Sequence, residues 1–279
     1  LFQIEGLNIV RCRECGLIYV NPRPKAESIY QIYDEKYFIH KNDCFTNQYF
    51  GYYDYISDKE KIEKSFIRRL DVIEKYCDYG RLLDVGCASG YFLLAANKKG
   101  WDVHGIDVSA FAVAIAKREF GENRIMKGTL KETKFPENSF DVVTFWDVLE
   151  HLPDPISNLK EAHGILKPGG IIGIVVPDAG SLASHILGKY WPEFKRIREH
   201  IYFFNKKTIT TMLEKVGFKV LYIEGAGRIF NIVELLNECK IYNYFIFDKL
   251  SKIANAIGLS KINLYIKPGY KIAVYARKI

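Results

Sequence analysis

No disulfide framework can be drawn through this sequence. Its six cysteines stand at 12, 15, 44, 77, 87 and 239, and only the first pair has a recurring spacing, so a reducing, cytoplasmic setting is expected. No apolar run approaches the length of a membrane-spanning helix. The opening LFQIEGLNIVRC also lacks the basic region, apolar stretch and small-residue cleavage site of a secretory leader. Charge of one sign is nowhere gathered into a block. Forty Lys+Arg stand against 33 Asp+Glu, a formal net charge of +7, but the bases are scattered among acids and form no stripe that tracks a phosphate backbone. Nucleic acid is therefore not an expected partner; a small molecule is. Repeats and low-complexity tracts are missing too. The 279 residues, 48% hydrophobic, are expected to bury one full core and to leave room for insertions.

What is present is ordered along the chain. Residues 1–24 alternate apolar and polar and end in Asn21-Pro22-Arg23-Pro24, which predicts a β-hairpin with a stiff, extended exit. Residues 25–57 are rich in Tyr and Phe with helix-like patches. In 58–79, Ile62, Phe66, Ile67, Leu70 and Ile73 recur at helical spacing and predict an amphipathic helix. We expect an N-terminal extension over 1–57 and a main domain over 58–279. From Arg81 onward, short apolar strands (RLLDVG, WDVHGIDV, RIMKG, FDVVTFWD, GGIIGIVV, FKVLYIEG, YKIAVYAR) alternate with helices near 90–99, 109–119, 155–166 and 206–216. Such alternation predicts an α/β fold, a parallel sheet with helices on both faces. Two aromatic-rich insertions, 178–205 and 228–265, suit lids or substrate walls. Ordinary core packing accounts for the second; a homodimer face through the aromatic insertions, or a membrane-surface helix pair, are its alternatives.

Leu82-Leu83-Asp84-Val85-Gly86-Cys87-Ala88-Ser89-Gly90 is a strand, a glycine-containing turn and a helix start. Glycines there let backbone approach a ligand, and the bare N–H groups of a helix start favour an anionic group. Asp107 ends the next strand, about twenty residues on, where a carboxylate accepts the two hydroxyls of a ribose. The dinucleotide pattern G-x-G-x-x-G is absent, since Ala88 stands between Gly86 and Gly90, which disfavours NAD.

Taken in order, Asp84-x-Gly86-x-x-x-Gly90, GIDVS at 105–109, FDVVTFWDVLEHLPDP at 140–155 and LKPGG at 166–170 resemble the motifs of class I S-adenosylmethionine-dependent methyltransferases. The resemblance covers Arg81 to Val176. It implies a Rossmann-like fold with a seven-stranded, mostly parallel sheet whose last strand is antiparallel, preceded here by a small N-terminal β/α extension. It also implies S-adenosylmethionine as methyl donor and S-adenosylhomocysteine as product. By this resemblance Asp84 and the turn Gly86, Cys87, Ala88 and Gly90 surround the methionine part, Asp107 holds the ribose and Val108 packs on the adenine. Gly128, Thr129 and Leu130 border the adenine edge, and Trp146 and Asp147 lie under the methionine end. The family's usual acidic residue after the third strand is replaced by Thr129, so adenine recognition is expected to rest on main-chain groups.

Methyl transfer from a sulfonium is an in-line displacement, and the protein chiefly aligns donor with acceptor. A hydroxyl or carbon acid acceptor also needs a base. Candidates lie in Asp147-Val148-Leu149-Glu150-His151, where His151 acts near neutral pH and the carboxylates orient it. Three readings of Glu150 and His151 stay open: helix capping and loop packing, general base, or divalent-cation ligands. The last follows from a resemblance of D-x-x-E-H to the E-x-x-E-H of quinone-precursor and small-RNA O-methyltransferases, with His200 as a further ligand; no metal site is assigned. His200, in Arg198-Glu199-His200, resembles a segment bordering the acceptor pocket and is taken as catalytic beside His151 and Glu150, against a plain surface or core role. His104 and His163 are read as structural, and Trp146 and Trp191 as pocket or core aromatics.

Cys12-x-x-Cys15-Gly16 is half of a zinc-ribbon pattern. A structural zinc usually takes four thiolates, so the other two would come from upstream of Leu1, and in this chain the pair is expected to be unliganded. The string RCRECGLIYVNPRP resembles the N-terminal module of methyltransferases from bacterial glycan and deoxysugar pathways, which makes a sugar or sugar nucleotide the leading acceptor. A phenol or quinone precursor is the alternative, and a non-catalytic cofactor-binding scaffold the reading from another class.

Overall fold

The structure is a computed structural model that describes residues 1–34, 37–38, 59–241 and 243–279. Three short strands open the chain: β1 (Phe2–Ile4), β2 (Leu7–Arg11) and β3 (Ile18–Asn21). The middle supplies β4 (Arg81–Val85), β5 (Asp102–Asp107), β6 (Ile125–Lys127), β7 (Phe140–Trp146) and β8 (Leu166–Pro177). After them come β9 (Tyr202–Phe203), β10 (Phe218–Gly225), β11 (Arg228–Asn231), β12 (Asn263–Ile266) and β13 (Lys271–Lys278).

The central strands are buried on both faces, which is why they read as nearly unbroken apolar runs rather than alternating ones. They form a seven-stranded sheet in the order β10-β13-β8-β7-β4-β5-β6. The pairs β4/β5, β4/β7, β5/β6 and β7/β8 are parallel, and β13 runs antiparallel between β8 and β10, as expected of the last strand. The strand order therefore reverses at β4, with β5 on one side of it and β7 on the other. Such a crevice, beyond the carboxyl ends of the strands, is where open α/β sheets bind ligands.

Helices Tyr91–Lys98, Ala110–Phe120, Pro155–Ile165 and Lys206–Lys215 fall within a residue or two of expectation. The starts of the last three are set by side chains: Ser109, Asp154 and Asn205 each accept a first-turn backbone N–H. The segment expected over 58–79 is helical from Lys59 to Ile73. It stops short because the chain then turns at 74–76 toward β4, where Arg277 donates to the Tyr76 carbonyl at 3.1 Å.

Two features differ from the sequence reading. The opening is not a lone hairpin but a three-stranded antiparallel meander, extended by β9 from the first insertion: the order is β1-β2-β3-β9, with Ile18 opposite Phe203. The reason is apolar: Ile9, Ile18 and Val20 share a core with Trp191, Phe194 and Phe203. The second insertion folds as the β11/β12 ribbon with helices Ile232–Glu238 and Tyr244–Ala256. Core packing explains Phe230 and Ala254, which are buried, but Phe245, Ile246, Leu250, Ile253 and Ile257 are exposed.

Cys12 and Cys15 sit in the tight turn between β2 and β3 and are free thiols. Backbone N–H groups of Cys15 and Glu14 lower the Cys12 pKa. Cys44 lies outside the described residues.

Candidate active site

Strand β4 delivers Asp84 to a fully interior position, where Thr144 from β7 donates to its Oδ1 at 2.7 Å. Burial pushes the Asp84 carboxyl up to about 8, against that hydrogen bond and with the nearby Asp107 adding to it. The chain then turns sharply. Gly86 and Cys87 donate N–H to the Ile106 carbonyl at 2.8 and 3.0 Å, and Gly86 has φ +73°. A Cβ at Gly86 would stand 2.5 Å from Val148 Cγ2, so both conformation and space call for glycine here. Ala88 also takes a left-handed φ, +47°, and Gly90 begins the helix Tyr91–Lys98 at φ +82°. The Cys87 thiol is buried and pushed well up by that burial, hence unreactive.

Asp107, at the end of β5, holds this turn. Its Oδ2 accepts the Ala88 N–H at 2.9 Å and its Oδ1 the Ser109 N–H at 2.8 Å. Burial still raises its pKa despite these bonds. Each oxygen keeps a lone pair beyond the bond it already makes. Val108 is half-buried beside it, and Gly128 donates to the Asp107 carbonyl at 2.9 Å. Thr129 caps the short helix Leu130–Thr133 in a reciprocal box with Glu132, and Leu130 is buried. The Thr129 and Glu132 side chains are thereby engaged in capping the helix start.

The other end of the site begins where β7 stops. Trp146 is buried with its indole N–H lacking a partner among the described residues, and the Arg69 guanidinium lies 5.0 Å from its ring centroid. Asp147 adopts φ +58° and accepts from Lys271 Nζ at 2.7 Å. Burial would raise its pKa, but Lys271 and Arg69 together pull it below the usual carboxylate value. The D-x-x-E-H run is thereby split, and Asp147 is paired with Lys271 rather than grouped with the other candidates.

Glu150 and His151 lie on the 3-10 turn Leu149–His151, and the chain brings His200 back against them, 4.6 Å ring to ring from His151. The Glu150 carbonyl accepts the Ile201 N–H at 3.0 Å, and the Ile201 carbonyl accepts the Val20 N–H at 3.0 Å, which ties the first insertion and β3 to this turn. Glu150, His151 and His200 each offer a ligand atom within 4.8 Å of the others, and all three are buried. His151 Nδ1 lies 3.0 Å from the Glu199 carbonyl. A carbonyl only accepts, so Nδ1 carries the proton and Nε2, 3.9 Å from Glu150 Oε1, is the bare lone pair.

Electrostatics sharpen this arrangement. Burial, with His200 and Arg196 nearby, lowers the His151 pKa to about 3, and burial with Arg196 and Lys271 lowers that of His200 well below its usual value. Burial first, and Asp147 second, hold the Glu150 carboxyl well above the carboxylate range. Neither Glu150 oxygen has a hydrogen-bond partner among the described residues, although the residue is 0% exposed. Such a group is costly unless something else completes it. Two uncharged imidazoles and an unpartnered carboxyl suit a divalent cation, which takes neutral imidazole and displaces the carboxyl proton.

The surrounding shell was not legible in the sequence. Glu199 accepts from Arg196 Nη2 at 2.8 Å and from the Tyr37 hydroxyl at 3.2 Å. Glu193 Oε2 lies 3.1 Å from His200 Nδ1. Tyr33 sets its ring edge 6.0 Å from His151, with a buried hydroxyl that has no partner among the described residues. Only Thr144, a polar residue within the apolar run 142–146, and the i,i+3 pair Arg196/Glu199 left a sequence signal.

Comparison with known proteins agrees with this layout. A family model described as a methyltransferase domain matches residues 49–223. A ubiquinone biosynthesis O-methyltransferase of Idiomarina loihiensis is 30% identical over 181 residues, 56% of this chain and 70% of that protein. One of the same name from Actinobacillus pleuropneumoniae is 31% identical over 116 residues, 37% of this chain and 50% of that protein. The chain spans about half the length of the first of these curated relatives. A SAM-dependent methyltransferase of Archaeoglobus fulgidus superposes with a TM-score of 0.54 at 22% identity, covering 80% of this chain and 99% of that one. The sheet order, the Asp107-braced glycine turn and the match across most of the chain place this protein in the methyltransferase-domain family, as a class I S-adenosylmethionine-dependent methyltransferase.

Proposed function

We propose that the chain transfers a methyl group from S-adenosylmethionine to a hydroxyl oxygen of a small, acidic acceptor, a phenol or quinone precursor. The observation that carries this is the buried group Glu150, His151 and His200 at the end of β7, with its unpartnered carboxyl oxygens. Asp107 accepts the ribose hydroxyls through its remaining lone pairs, the 86–90 turn lies along the methionine part, and Gly128, Thr129 and Leu130 border the adenine. Trp146 closes the floor toward the acceptor, and Asp147, paired with Lys271, holds the turn that carries Glu150 in place.

A hydroxyl must lose its proton to attack a sulfonium, and an imidazole held near 3 is too weak a base to take it alone. Glu150, His151 and His200 would hold a divalent cation, which when bound lowers the pKa of a hydroxyl beside it. The protein's own part is to present the His151 Nε2 lone pair, fixed by the Glu199 carbonyl, to keep His200 uncharged, and to exclude water. The two curated relatives described above are O-methyltransferases of ubiquinone biosynthesis, which favours a phenol or quinone precursor over the sugar acceptor expected from the N-terminal string.

The test is release of S-adenosylhomocysteine from S-adenosylmethionine with a catechol or a sugar nucleotide as acceptor, with magnesium or with chelator. Turnover on the catechol that falls with chelator and in Glu150→Gln supports the reading. Turnover on the sugar nucleotide alone, or on the catechol at an equal rate in Glu150→Gln, overturns it.

A further inference from the structure

The helix Tyr244–Ala256 is packed the wrong way round for an element facing water. Its buried positions are the small residues Ser251 and Ala254, while Phe245 is 85% exposed and Ile257, just past the helix end, 67%. Ile246, Leu250, Ile253 and Ile257 are exposed as well and follow the spacing i, i+4, i+7, i+11, which sets them on one face. Ile262 and Leu264 in the same insertion are exposed too. Single exposed apolar residues are ordinary, but a stripe of large ones marks a contact surface.

The charge around this stripe says what covers it. Between 240 and 270 stand Lys240, Lys249, Lys252, Lys261 and Lys267 against one acid, Asp248. Asp248 pairs with Lys240 at 2.9 Å and Lys252 at 2.8 Å. Lys249 and Lys252 lie along one side of the stripe and are exposed, as are Lys261 and Lys267, the last paired with Glu224 at 2.5 Å. A second copy docking across a two-fold axis would set this basic face against itself, which like-charge repulsion disfavours. We propose instead that the face binds an anionic lipid surface, the aliphatic stripe entering the acyl boundary and the lysines meeting headgroup phosphates. No helix among the described residues is long and apolar enough to cross a membrane, so the contact is one of lying on the surface.

The test is co-sedimentation of the full chain with vesicles of phosphatidylcholine alone, or of phosphatidylcholine and phosphatidylglycerol in equal parts. Binding is expected to the mixed vesicles, at least tenfold stronger than to the neutral ones and weakening as salt is raised. Lys249→Gln and Lys252→Gln should each weaken it roughly fivefold. The double variant Leu250→Ser with Ile253→Ser should abolish it with cofactor affinity unchanged, since both positions are exposed and lie outside the cofactor site. Equal binding to both vesicle types, no binding to either, or a stripe variant that turns a dimer into a monomer by light scattering without affecting vesicles would overturn the proposal.

Discussion

The two ends of this site are built on opposite terms. At the proposed cofactor end, Asp107 has both oxygens bound to backbone N–H groups of its own neighbourhood, and Gly86 in the turn it braces has room for no side chain. At the proposed acceptor end, Glu150 is buried as well and has no hydrogen-bond partner among the described residues, and the imidazoles beside it are held uncharged. The first end is finished before ligand arrives; the second is left to be completed by what binds there. Stability should therefore reside in the first and turnover in the second.

The largest expected effect separates them by chemistry. Glu150→Gln should lower turnover by about 10²–10⁴ and leave thermal stability unchanged or slightly raised, because glutamine copies the shape of a carboxyl whose charged form burial disfavours. A drop in melting temperature with turnover retained would reverse the assignment of the two ends. Next in size, Gly86→Ala should lose about 2–4 kcal/mol of folding stability, from a left-handed φ and a Cβ pressed on Val148. Denaturant unfolding reads this directly, and an unchanged midpoint would mean that the turn is not the rigid element described.

A third expectation concerns pH. The folded pKa of His151 is depressed to about 3 against roughly 6.5 when unfolded, so the unfolded chain binds the extra proton between those values. Its contribution is fully present above about pH 6.5 and is lost on acidification, by about 2 kcal/mol at pH 5. Asp84, raised to about 8, acts with the opposite sign and loses its contribution as pH rises toward that value. The comparison is therefore wild type against His151→Gln: the variant should show the shallower loss of stability between pH 7 and 5. Parallel curves would place His151 in a more solvated site than the structure gives it.

The same contrast explains what could be read from the chain. The cofactor end is contiguous, a strand, a glycine turn and a helix, closed by an aspartate at the end of the next strand. Each local choice there agrees with the fold, so Gly86, Gly90 and Asp107 were legible. The acceptor end is assembled across the chain. His200 meets His151 only because β9 joins β3, a pairing of two residues with no periodic signal of their own. Lys271, Tyr33 and Tyr37 reach the site from opposite ends of the sequence, where nothing marks them from ordinary surface or core residues. The exposed stripe of 244–257 was misread for a related reason: hydrophobic spacing shows that a helix has an apolar face, not which way that face points.

The central claim is a cofactor end formed in advance around Asp107. Calorimetric titration of wild type and Asp107→Ala with S-adenosylhomocysteine, with NAD as control, tests it most directly. The account predicts tight binding to wild type, none of NAD, and a loss of about 1–3 kcal/mol in the variant, the worth of hydrogen bonds to a charged acceptor. Equal affinity in the two proteins, or no affinity in wild type, would contradict it.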